Sequence, residues 1–103
     1  SIPGNIVTGP APVENLMWDD ESMSVKVTGS RFGHEGCMIK VYEITASGEI
    51  LYIGSSEEAS DGGFSPDMSY YVGNKLSVST SSVAFTVLSD DRNESKMSKK
   101  RLD

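Results

Sequence analysis

The only histidine and the only cysteine of this chain, His34 and Cys37, stand in an H-x-x-C spacing. That spacing would serve as half of a zinc site, but zinc takes four ligands and no second His or Cys exists to complete the set. Serine is abundant, so the residue types of a Ser-His-Asp triad are present. However, His34 lies in SRFGHEG, which reads as an exposed loop, and no G-x-S-x-G nucleophile turn occurs. Glu57, Glu58, Asp61 and Asp67 are candidates for calcium coordination or for an acid–base pair. Without a D-x-D-x-D-G loop they read better as solvated loop carboxylates. Gly33, Gly36 and the Gly62-Gly63 pair precede no helix, so turns that need positive φ explain them better than a phosphate cradle. Tyr42, Tyr52, Tyr70 and Tyr71 are left as a candidate aromatic binding face, with packing inside or between sheets as the alternative. The sequence therefore predicts no catalytic residues, no metal and no cofactor.

From Ser24 to Leu88 the chain alternates apolar and polar residues in short runs punctuated by Gly, Ser and Asp. That is the pattern of successive antiparallel strands with one buried face. Runs are expected at Ser22–Thr28 (Met23, Val25 and Val27 inward), Cys37–Thr45, Glu49–Ser55, Tyr70–Val72, Lys75–Thr80 (Leu76 and Val78 inward) and Val83–Leu88. Ala46-Ser47-Gly48 suits a hairpin with a bulge, and Asp61-Gly62-Gly63 a turn before Phe64, an expected core anchor. Cys37 falls in phase with Ile39 and Val41 and reads as a buried small hydrophobe. Strands of this length and spacing predict an all-β, antiparallel sandwich of about seven strands.

The flanks differ from this body. Residues 1–21 read as an extended arm, with Pro3, Pro10 and Pro12 opposing helix and central-strand pairing. Within it, Leu16, Met17 and Trp18 are either a first strand or the place where the arm docks. Residues 22–88 form the sandwich, and residues 89–103 a charged tail with almost nothing apolar to bury. A short helix capped at Ser89 or Asp90 would have no apolar stripe to hold it.

Net charge is −6, but its distribution is uneven: residues 1–88 carry −7 and SKMSKKRLD carries +3. An acidic body argues against a nucleic-acid partner. No apolar run approaches the roughly 20 residues of a membrane span, and none resembles a signal peptide. Synthesis in the cytoplasm is therefore expected, with Ser1 following a removed initiator Met in preference to a cut from a longer chain.

The run VKVTGSRFGHEG, CMIKVYEITASGEILYIGSS, ASDGGFSPDM and KLSVSTSSVAFTVL resembles bacterial and phage immunoglobulin-like domains. It shares their Gly turn before "I-x-V-Y", their hairpin to "G-S" and their "D-G-x-F-S" turn. The resemblance covers residues 23–88 and lacks the paired cysteines and core Trp of antibody-type domains. It implies a stalk, adhesive module or virion surface attachment. A phage capsid or tail is then the expected partner, a homo-oligomer is a further one, and the virion surface is the expected location. The partner-binding residues would be Ile2, Pro3, Ile6, Val7, Pro10 and Pro12 of the arm and Lys99, Lys100 and Arg101 of the tail. The alternative is a recognition module that binds a carbohydrate, such as a host surface glycan, or a cell-surface protein. On the first reading, deletion of residues 1–15 should leave the sandwich folded and abolish assembly.

Overall fold

The structure, a computed structural model, describes residues 9–102. The arm positions Ile2, Pro3, Ile6 and Val7 lie outside the described residues. Seven strands form two antiparallel sheets, and no α-helix occurs among the described residues. β1 (Leu16–Asp19), β2 (Ser24–Val27) and β5 (Ser69–Tyr71) make a three-stranded sheet in that order. β3 (Met38–Thr45), β4 (Ile50–Ser55), β6 (Thr80–Leu88) and β7 (Ser98–Arg101) make the other, in the order β4-β3-β6-β7. A 3-10 turn, Val13–Asn15, leads into β1.

The alternation read from the sequence sets which face each strand buries. Val25 and Val27 of β2, Ile39 and Val41 of β3, and Val83, Phe85 and Val87 of β6 meet between the sheets, joined by Leu16, Ile53 and Cys37. Phe64 anchors one end as expected. It is fully buried, edge-on to Tyr70 with ring centroids 5.1 Å apart, and 5.4 Å from Phe32. The turn before it requires glycine at Gly63: φ is +91°, and a Cβ there would meet the Phe32 carbonyl oxygen at 2.3 Å, a backbone clash that no side-chain motion relieves. The β3–β4 hairpin closes through Gly48, whose N–H donates to the Thr45 carbonyl. A register shift between Val41 and Tyr42 places a bulge within the β3–β4 ladder, away from the turn.

Two expectations are corrected. Lys75–Thr80 is no strand: Val78 is fully exposed, and β6 begins only at Thr80. Carboxylates take the backbone donors there. Leu76 N–H donates to Asp20 Oδ1 (3.1 Å) and Ser77 N–H to Glu43 Oε2 (2.9 Å), which leaves no ladder to form. The second correction concerns the described part of the tail, residues 89–102, which does not lie outside the sheets. Ser89 N–H donates to the Asn93 carbonyl, Arg92 turns the chain at φ +72°, and Ser98–Arg101 returns along β6 as β7. An edge strand needs ladder partners more than apolar side chains, so its polar sequence concealed it. Likewise Leu16–Asp19, inside the segment read as arm, is a true first strand paired with β2.

Candidate protein-interaction edge

The segments read as arm and tail lie side by side on one lateral edge of the molecule. Pro10 bridges Lys96 in parallel: Ala11 N–H donates to the Lys96 carbonyl (3.1 Å), and Lys96 N–H to the Gly9 carbonyl (3.0 Å). Ser98 Oγ donates to the Ala11 carbonyl at 2.8 Å. Ala11 is buried by this contact, while Pro10 stays exposed and Pro12 is half-buried. Of the expected partner-binding residues, Pro10, Pro12, Lys99, Lys100 and Arg101 are thus brought to one edge.

On that edge β1 and β7, the outermost strands of the two sheets, flank a cleft of about 170 Å³. Trp18, Val83 and Phe85 form its floor, and Met17, Leu102 and the Lys100 stem form its rim. The alternation explains the geometry. Lys100 is paired with Val83, so its stem lies over the core face, and its ammonium reaches across to the Leu16 carbonyl of β1 at 3.3 Å. Lys99 is paired with Ala84 and faces the opposite side of the sheet. Met17 and Leu102 are about half exposed, at 50% and 46%. The indole N–H of Trp18, buried in this region, has no hydrogen-bond partner among the described residues. Sequence reasoning missed Met17, Trp18 and Leu102 as lining residues. The signal available was three large apolar residues in segments otherwise poor in them.

The outer face of the larger sheet holds a second cluster. Glu94 accepts from Tyr42 Oη (2.6 Å) and Thr86 Oγ1 (2.7 Å) and pairs with Lys40 at 3.4 Å. Burial alone would raise the Glu94 pKa. The hydrogen bonds from Thr86 and Tyr42, with Lys40 beside them, outweigh it and hold the carboxyl below its ordinary value. Burial, and then the Glu94 contact, push the Tyr42 phenol up. Lys40 sits over the Tyr42 ring at 5.8 Å and over the Tyr52 ring at 5.1 Å. Of the four tyrosines, Tyr42 and Tyr52 contact one another across strands, with ring centroids 5.5 Å apart and planes tilted by 59°; Tyr70 is core and Tyr71 lies exposed on the other sheet.

The remaining sequence candidates stay apart. His34 is exposed in its loop, while Cys37 is buried, and burial first, then Asp90 and Asp91, raise its thiol pKa. Glu57, Glu58, Asp61 and Asp67 are exposed, and no group of three or more potential metal ligands occurs among the described residues. No helix among them is long and apolar enough to cross a membrane. In comparisons with known proteins, no family model, no curated protein and no solved structure matches the chain.

Proposed function

We propose that this chain is a non-enzymatic, immunoglobulin-like structural module that attaches to a large protein assembly through its β1/β7 edge. The order β1-β2-β5 against β4-β3-β6-β7 supports the immunoglobulin-like reading. It corresponds to strands A-B-E facing C′-C-F-G, with β4 taking the C′ position in place of a D strand. The observation that carries the attachment is the meeting of residues 9–11 with Lys96 and Ser98 on one edge. The stretch that leads back to the arm is zipped to Lys96. Beside it lies a basic strand on an otherwise acidic molecule, next to an apolar cleft. Such an edge offers backbone pairing, apolar contact and charge to an acidic partner surface.

The virion setting, as a capsid decoration or tail-associated protein, rests on the resemblance of residues 23–88. The test is a density-gradient run of the native source, with each fraction probed for this chain. Travel with megadalton particles at fixed stoichiometry is the expected outcome; confinement to the top of the gradient would sink the assembly reading. The glycan alternative draws on Tyr52, which is 55% exposed, but the Lys40 ammonium already occupies the space over both neighbouring rings.

A further inference from the structure

At the end of the larger sheet opposite β7, the outer strand is β4. Part of it is closed. The Asn74 side-chain amide donates to the Ile53 carbonyl, and Val72 packs over Gly54, where a Cβ would come within 2.8 Å of the Val72 carbonyl oxygen. Ile50, Leu51 and Tyr52 have no such cover among the described residues and are 47%, 39% and 55% exposed. The hairpin fixes which of their backbone groups point outward. Thr45 N–H donates to the Glu49 carbonyl, so Ile44 and Ile50 form a non-hydrogen-bonded pair, and Glu43 and Leu51 a hydrogen-bonded one. Leu51 therefore directs its N–H and C=O to β3, whereas Ile50 and Tyr52 aim theirs away from the sheet. Natural sheets usually blunt such an edge with lysine or proline, and residues 49–53 contain neither.

The described chain begins at Gly9, whose carbonyl accepts from Lys96 N–H beside the entry to β7. The point where residues 1–8 join it thus lies across β7, β6 and β3 from the β4 edge. A second copy of the chain matches that edge. Laid antiparallel about a twofold axis at Leu51, β4 of each copy sets Ile50 against Tyr52 of the other, and every outward N–H meets an outward carbonyl. Ile50 stands beside Ile44, and Tyr52 touches Tyr42 with ring centroids 5.5 Å apart. The pairing carries this row into the second copy as aromatic and β-branched neighbours, a favourable cross-strand combination. Leu51 meets its own copy on the axis. Glu49, the one charged residue among residues 49–53, falls opposite Ile53 of the other copy and not opposite a second Glu49. Pairing β4 with itself therefore opposes no like charges within the ladder.

We propose that this chain forms a twofold dimer in which β4 of one copy pairs antiparallel with β4 of the other, joining the two larger sheets into one. The inference goes beyond the attachment reading and does not depend on it, because β7 of each copy stays at an outer end of the joined sheet. The ladder is short: the hairpin turn precedes Ile50, and Val72 and Asn74 close the edge beyond Tyr52. It makes far less than a standard interface of roughly 800 Å² per partner, so a Kd on the order of 0.1–1 mM is expected. Each copy carries a net charge of −6, so the copies repel at long range, and salt strengthens the dimer by screening that repulsion.

The test is sedimentation of the purified chain from about 10 μM to about 2 mM, at low and high salt. Association that strengthens with salt and stops at the dimer is expected, since a twofold interface closes on itself. The run is repeated for Ile50→Lys/Tyr52→Lys, for Ile50→Glu/Tyr52→Glu and for their equimolar mixture, after circular dichroism shows each to be folded. Each variant alone should dimerise about tenfold more weakly, because like charges then face each other across the axis. The mixture should recover the dimer, because opposite charges do. Leu51→Lys, whose ammonium would meet its own copy, replaces a double variant that fails to fold and should be as weak. A wild type monomeric throughout would overturn the proposal, as would association that grows past the dimer or ignores these substitutions. If the monomeric wild type dimerises once residues 1–8 are deleted, the occupant of the edge is the chain's own N-terminal segment, and the proposal fails in that way. None of these outcomes bears on the gradient run, so the two readings fail separately.

Discussion

The Glu94 carboxylate joins strands β3 and β6 to the segment that leads into β7. It sits just before β7, bridges Leu88 of β6 through the backbone, and accepts from Tyr42 of β3 and Thr86 of β6. Its pKa is lower in the folded chain than in the unfolded one, so it contributes stability that is present above the unfolded value, about 4.3. That contribution is lost as pH falls through the depressed folded value. Glu94→Gln should therefore flatten the acid limb of a Tm-against-pH curve below about pH 4.5, while lowering Tm at pH 7. The phenol of Tyr42 shifts the opposite way. The stability that Tyr42 contributes is fully present below the ordinary phenol pKa and is lost only as pH rises through the raised folded value. A wild-type acid limb that Glu94→Gln leaves unchanged would show that the carboxylate is not coupled to folding.

At the scale of the elements, β7 and the 72–79 connection make opposite cases. Val78 follows the alternation that read as an inward strand, yet it is fully exposed; Lys100 reads as tail, yet it is paired with Val83 in a sheet. Lys100→Pro should remove a ladder position and cost about 2 kcal/mol, on the order of 10 °C in Tm. Val78→Ser should stay within about 0.5 kcal/mol of wild type. Thermal melts of the two variants decide it. Equal, negligible effects would mean that β7 contributes nothing to the sheet. The contrast also marks the limit of legibility. Strands whose inward positions were Val, Ile and Phe could be read from period two, because burial selects those residues. Two signals lay in tertiary contacts that no local pattern carries: carboxylates of Asp20 and Glu43, 56 and 34 residues away from their donors, and a basic strand paired at a sheet edge. The candidate edge was half legible. Pro10, Pro12 and Lys99–Arg101 stood out by type, whereas their meeting on one edge, and the cleft floor of Trp18 and Phe85, depend on the sheets being closed.

For the molecule as a whole, the question is where the sandwich begins along the N-terminal segment. Deleting residues 1–15 was expected to spare the fold, but that cut removes buried Ala11, Val13 packed on the core, and the hydrogen bonds that join residues 9–11 to Lys96 and Ser98. At about 1 kcal/mol per hydrogen bond, with the lost apolar burial added, the 1–15 deletion should cost roughly 3–4 kcal/mol. A chain of this size would then lose on the order of 15 °C in Tm. Deleting residues 1–8 leaves every one of those contacts in place and should lower Tm by less than the longer cut does. The pair of deletions thus separates two roles that a single cut confounds. If the shorter deletion keeps its melting temperature but no longer travels with large particles, Ile2, Pro3, Ile6 and Val7 act in attachment and residues 9–15 in the fold. If it still travels with them, attachment lies on the β1/β7 edge itself, and Lys99 and Arg101 are the residues to reverse in charge next.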